Sequence, residues 1–97
     1  MLRAERGFAR EELMAWCEAN GIDHLFGLAR NRRLLEQIAA ELQAAEAEHK
    51  QTGKPARGFK DFTYTTLDSW SRRRRVIGKA EHLDKGANPR FVVTSLN

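Results

Sequence analysis

Across residues 51–58 the hydrophobic period of the chain changes from helical to strand-like, and that change sets what can be built from it. Before it, Leu34, Leu35, Ile38, Ala39, Leu42 and Ala45 recur at three- and four-residue steps, with Glu36, Glu41, Glu46 and Glu48 mostly off that side. This spacing, in a stretch dominated by Ala, Leu, Gln and Glu, predicts one long helix from about Arg32 to Lys50, capped by Asn31. Gly53, Pro55 and Gly58 break helix, and Lys50, Lys54 and Arg57 add charge, so 51–58 reads as a basic linker. After it the alternation is strand-like. Phe62, Tyr64 and Thr66 share one face of a strand predicted over Phe59–Leu67, with Asp61, Thr63, Thr65 and Leu67 on the other. Asp68-Ser69 starts a turn. A second strand follows over Arg74–Leu83, with Val76, Gly78 and Ala80 on one side and Arg75, Ile77, Lys79, Glu81 and Leu83 on the other. The two are expected to pair as an antiparallel ribbon. Residues 84–89 read as a loop and Arg90–Leu96 as a last, nearly continuous apolar strand.

The first thirty residues read differently. Leu2 to Ala4 suit the end of a strand, and Gly7 permits a turn. Ala9–Asn20 reads as a helix whose apolar stripe is Leu13, Trp16 and Cys17, stopped by Asn20-Gly21. Ile22–Leu28 contains the unbroken run Leu25-Phe26-Gly27-Leu28, which suits a strand covered on both faces, as in a parallel sheet. Together these predict a strand-helix-strand unit. His24, in its second strand, reads as a satisfied structural histidine, since no second His or Cys stands at ligand spacing.

With 97 residues the chain allows at most one small domain. Its net charge of +4 permits a polyanionic partner. The lone Cys17 cannot form an internal disulfide, which fits a reduced, cytoplasmic setting. No apolar run approaches the roughly 18 residues of a membrane span.

Two features bear on chemistry. Glu5 stands where the first strand gives way to a turn, the end at which open α/β sheets place their ligands; a solvated terminal acid is the alternative. The densest charge is Arg72-Arg73-Arg74-Arg75. With Lys60, Lys79, Lys85 and Arg90 it can line a phosphate-binding ribbon, and Trp70 and Tyr64 can stack on bases. Equally, such charges can guard an edge strand against other chains. Arg32 and Arg33 oppose the dipole at the start of their helix, which fits a phosphate contact or a pair with Glu36. No Gly-rich phosphate loop, metal cluster or nucleophile set is visible.

The segment Leu2-Arg3-Ala4-Glu5-Arg6-Gly7-Phe8-Ala9-Arg10-Glu11-Glu12-Leu13 resembles the Arg-x-Asp-Ser-Gly-Phe segment of bacterial insertion-sequence transposases of the DDE type, the thirteen-eighty group above all. Gly27-Leu28-Ala29-Arg30-Asn31 with Leu34-Leu35 resembles the segment that follows there. Ser69-Trp70, Arg75-Val76-Ile77 and Asn88-Pro89-Arg90-Phe91-Val92-Val93-Thr94 resemble the next, in consistent order over nearly the whole chain.

The resemblance implies an α/β, ribonuclease-H-like fold in which three acids bind two Mg²⁺ or Mn²⁺ ions for cutting and joining DNA at transposon ends. It places Glu5 at the second acid, where the family has Asp, and Arg6 at the Ser position. It puts the first acid before Met1 and the third after Asn97. It divides one partial domain into a core strand-helix-strand over 1–30, a helix and β-ribbon insertion over 31–88, and a last strand over 89–97. The insertion is the part expected to contact DNA, through Arg32, Arg33, Trp70, Arg72, Arg73, Arg74, Arg75 and Lys79. On this reading the 97 residues are catalytically inactive alone and bind no metal by themselves. The alternative is a non-enzymatic DNA-binding module that uses the basic ribbon. Self-association through sheet edges or the second helix is a third possibility.

Overall fold

The computed structural model describes residues 2–4, 11–66 and 70–96. Glu5, Arg6 and the Asp68-Ser69 turn lie outside the described residues. Two strands and a helix come first: β1 (Leu2–Ala4), α1 (Glu11–Ala19) and β2 (His24–Leu28). Two helical segments follow, α2 (Arg32–Gln37) and α3 (Ala39–Thr52). Then come β3 (Ala56–Tyr64), β4 (Arg74–Leu83), the short β5 (Gly86–Ala87) and β6 (Arg90–Thr94). The strands form one sheet in the order β1-β2-β6-β4-β3, with β5 on β4.

The expected strand-helix-strand unit is present. β1 and β2 are parallel, Leu2 facing His24 and Ala4 facing Phe26, with α1 between them in sequence. The α1 stop also forms as read: the Ile22 N–H donates to the Cys17 carbonyl at 2.8 Å around Gly21. Every other pairing in the sheet is antiparallel. β3 and β4 form the expected ribbon over nine residue pairs, from Ala56↔His82 to Tyr64↔Arg74. β6 closes the gap between ribbon and β2, with Val93 between Phe26 and Val76.

Register and alternation assign the faces. Phe26, Val93, Val76 and Phe62 lie in one row across the sheet, and Leu28, Phe91, Gly78 and Lys60 in the next. Met14 of α1, with Leu34 and Ile38, packs on this face in a single cluster. Each fully buried side chain of this size contributes roughly 2 kcal/mol of burial. The opposite face carries Leu25, Val92, Ile77 and Phe59, none of them fully buried.

Five sequence expectations change. β2 is covered on one face, not both, among the described residues: His24 and Phe26 are buried while Leu25 and Gly27 are half-exposed. Helices α1 and α3 both approach from the side of Phe26, so a continuous apolar run here does not mean two covering layers. The stripe of α1 is also displaced. Met14 and Cys17 are fully buried, whereas Leu13 and Trp16 are 39% and 53% exposed. Glu11 and Glu18 lie on the inward side with Met14, so the buried stripe includes two acids that a hydrophobic count passes over.

The long second helix is interrupted at Ile38 (φ −114°, ψ 20°), which ends α2 and begins α3. Ile38 meets β4 at this point. A Cβ placed on Gly78 would sit 2.7 Å from Ile38 Cγ2 and 3.2 Å from Phe91 Cε1. The absent side chain at Gly78 leaves the room that Ile38 occupies. The linker is much shorter than read. α3 continues to Thr52, Gly53 takes the left-handed φ of +72° that closes it, and β3 already begins at Ala56. Pro55 breaks the helix as expected, but Gly58 does not break the strand, because it pairs with Ala80. Finally, His24 is buried but not satisfied: neither ring nitrogen has a hydrogen-bond partner among the described residues. Its ring packs 5.4 Å from that of Phe26, and burial holds its pKa below the ordinary value.

Among the described residues no helix is long and apolar enough to cross a membrane.

Candidate nucleic-acid interface

The four-arginine run does not act as one patch. Only Arg74 and Arg75 lie in β4, and they point to opposite faces. Arg74 lies on the helix-covered face, where its side chain is 3% exposed. Its Nε and Nη2 donate to both oxygens of Glu18 at 2.7 and 2.8 Å, and its Nη1 donates to Glu11 Oε1 at 2.9 Å. Glu11 also accepts from the Ser71 backbone N–H and hydroxyl at 2.7 and 2.9 Å. The Arg74 hydrogen bond is the main reason the Glu11 carboxyl is lowered from 4.5 to about 2, and it lowers Glu18 as well. The same pairing raises Arg74 beyond its already high value. Arg74 was expected to face DNA; its guanidinium instead ties α1 to the ribbon.

Trp70 joins the same cluster. Arg74 Cζ lies 5.5 Å from its ring centre, and Tyr64 meets it edge-on at 5.7 Å. The indole is therefore packed against the fold, and Tyr64 is 6% exposed. Neither offers the open ring expected for base stacking. Arg72 reaches Glu18 at 3.7 Å from an exposed position. Arg75, on the open face, pairs with Asp61 at 2.6 Å and donates to the Leu96 carbonyl.

Arg73 and Arg33 are placed differently. Both line a shallow polar concavity of about 190 Å³ at the Tyr64 end of the ribbon, with Glu36, Gln37, Thr63, Tyr64 and Thr65. Asn31 organises the helix side of it. Its Oδ1 accepts the Leu34 N–H at 2.9 Å, capping α2, and its Nδ2 donates to the Tyr64 hydroxyl at 3.3 Å. This holds the start of α2 against the ribbon, and Arg33 Cζ sits 4.9 Å above the Tyr64 ring. Arg32 is next to it, 92% exposed and paired with Glu36 at 3.3 Å, a geometry worth only a few tenths of a kcal/mol.

Lys79 belongs to a second basic region on the open face. With Arg30 and Arg90 it lines a concavity of about 650 Å³ over Leu25, Gly27 and Val92. Lys79 is partly committed to Glu81 at 3.6 Å, and Glu81 also takes Arg57 at 3.2 Å and Asn88 at 3.0 Å. Arg30 and Arg90 make no ion pair among the described residues. Arg30 is absent from the sequence candidates. Its only signal is the pairing of Leu28 with Phe91, which brings residues 30 and 90 to one end of neighbouring strands.

The acids do not gather. Glu11 and Glu18 serve Arg74, Asp61 serves Arg75, and Glu81 serves Arg57 and Lys79. No group of three or more His, Cys, Asp or Glu side chains suited to a metal ion occurs among the described residues. The described acids therefore do not fit a metal centre, and Glu5, the residue expected at one, follows β1 outside them. Neither a curated protein nor a solved structure matches the chain. A family model described as Transposase DDE domain group 1 does match, over residues 1–97. With that match covering every residue, the chain belongs to the transposase DDE domain family, group 1, whose members generally use divalent metal ions.

Proposed function

We propose that the chain is the middle-to-late part of a DNA transposase and contributes DNA contacts rather than a complete catalytic centre. The observation that carries this is the meeting of Arg33 and Arg73, forty residues apart in sequence, at one concavity with Thr63 and Thr65. Guanidinium groups beside hydroxyl donors suit a backbone phosphate. In this reading the parallel β1–β2 pair with α1 is part of a ribonuclease-H-like core, and the sheet from α2 onward is the insertion that reaches DNA. Glu5 stands at the second acid position, with the other two acids in sequence beyond these residues. The metal ions, Mg²⁺ or Mn²⁺ in this reading, would supply activation of water and of a 3′ hydroxyl.

The test is duplex DNA binding measured against salt. Exchanging Arg33 and Arg73 for Ser should weaken binding at every sequence tried and flatten the logarithmic salt slope by about 0.9 for each phosphate no longer neutralised. An unchanged slope, or no binding by the parent chain at low salt, overturns the reading. The 97-residue chain should neither cut nor join DNA when Mg²⁺ or Mn²⁺ is added; cleavage by the purified chain removes the claim of an incomplete centre.

A further inference from the structure

β3 is an edge strand. It pairs with β4 over nine residues and with nothing on its other side among the described residues. Edge strands are normally guarded, most simply by charges of one sign that repel a second copy. This edge is built otherwise. Arg57, Phe59 and Asp61 point to the open face in succession, and all three are exposed. Phe59 is the most exposed large hydrophobic side chain among the described residues, at 63%. The order cation, aromatic, anion becomes its own complement when reversed.

We propose that two copies of the chain associate through β3, antiparallel, about a two-fold axis at Phe59. In that register Phe59 meets Phe59 of the other copy. Arg57 of each meets Asp61 of the other, twice by symmetry. Both side chains are more than half exposed, 57% and 54%, so each can take a second partner while keeping its own, Glu81 and Arg75 respectively. The pairing satisfies the outward backbone groups of both edges and joins the two sheets into one.

The helix side of the same edge supports the same register. A groove of about 410 Å³ runs there between α3 and β3, lined by Glu41, Ala44, Ala45, Glu48, Arg57, Gly58 and Phe59. Glu41 Oε1 is buried in the fold without a hydrogen-bond partner among the described residues. With the axis at Phe59, Lys60 of the second copy falls opposite Gly58, which has no side chain to exclude it and nothing within 4 Å of a built Cβ. Its ammonium, which in the single chain donates to the Gln37 carbonyl at 2.9 Å, then comes to the side of α3 carrying Glu41 and Glu48. Spacing also fits. α3 lies over both β3 and β4. With strands about 4.8 Å apart, the two α3 helices sit about 10 Å apart, a helix-packing distance, with Ala44 between them.

Sedimentation equilibrium and site-specific cross-linking test this together. The parent chain should show a mass rising with concentration from 11.1 kDa toward twice that value, and Phe59→Asp should stay monomeric. Phe59 is exposed, so circular dichroism of that variant should match the parent. Under mild oxidation Phe59→Cys should yield a disulfide-linked pair, the buried Cys17 being inert. Arg57→Cys and Asp61→Cys should not, because each lies about 13 Å from its own copy in this register. A parent that stays monomeric up to millimolar concentration overturns the proposal, as does equal cross-linking at positions 57, 59 and 61. Neither outcome bears on DNA binding by Arg33 and Arg73, so the two readings fail separately.

Discussion

Arg74→Met asks how much of the fold rests on the link between α1 and the ribbon. The substitution keeps the apolar stem and removes three donated hydrogen bonds, one to Glu11 and two to Glu18. Lowering Glu11 from 4.5 to about 2 corresponds to about 3 kcal/mol of preference for the paired, ionised state. Removing one partner of a fully buried pair costs about 3–5 kcal/mol. Here the two carboxylates keep 22% and 18% exposure and regain some water, so about 2–3 kcal/mol is expected at neutral pH. In a chain of this size that is a fall in Tm of roughly 10–20 °C. The sign with pH follows from the folded pKa lying below the unfolded one. The contribution is complete above about 4.5 and is lost as pH falls toward 2. Urea unfolding of parent and variant at neutral pH and at steps through that window is the assay. The difference between them should shrink as the carboxylates protonate. A difference that stays constant through the window, or one below about 0.5 kcal/mol at neutral pH, would show that the cluster behaves as a screened surface pair.

Two further outcomes follow from the core. Gly78→Ala drives a methyl into Ile38 Cγ2 and should cost about 1–3 kcal/mol, while Ile38→Ala alone should cost about 2–5 kcal/mol through the cavity it leaves. The double variant should be less destabilised than the two costs combined, by about 0.5–3 kcal/mol in a urea-unfolding cycle, and strict additivity refutes the contact. His24, held neutral by burial with Glu18 and Asp23 opposing and Arg74 reinforcing, makes folding weaker as pH drops below 6.5. His24→Leu should therefore flatten the stability profile just below 6.5, by at most about 1.4 kcal/mol per pH unit, and equal slopes for the two proteins would remove the claim.

What could be read in the sequence was what neighbouring residues decide. β4 runs from Arg74 to Leu83 as its alternation indicated, because Val76, Gly78 and Ala80 need only the local pleat to share a face. The α1 stop at Asn20-Gly21 is equally local. The packing of Ile38 was hidden, since the space it fills, at Gly78, lies forty residues away on a strand. β3 was read as starting at Phe59, three residues late, because Gly58 looks like punctuation until Ala80 is found opposite it; it also ends at Tyr64, short of the Leu67 expected. The Arg run misled most. Nothing near Arg74 in sequence shows that Glu11 and Glu18 wait for it, so a guanidinium that completes the fold looked the same as one awaiting a phosphate. Arg33 and Arg73 were both read as DNA-facing, but their shared concavity needed the Asn31–Tyr64 hydrogen bond to become visible.

Arg74 grips α1 at both its ends. Glu11 is in the first turn and Glu18 in the last, seven residues apart along one line of the helix. A rod pinned at one point can spin about its axis; a rod pinned at two points along one line cannot. The roll angle of α1 is thus held by charge as well as by the burial of Met14 and Cys17. In that orientation Trp16 is left half in water while the smaller Cys17 beside it is sealed in.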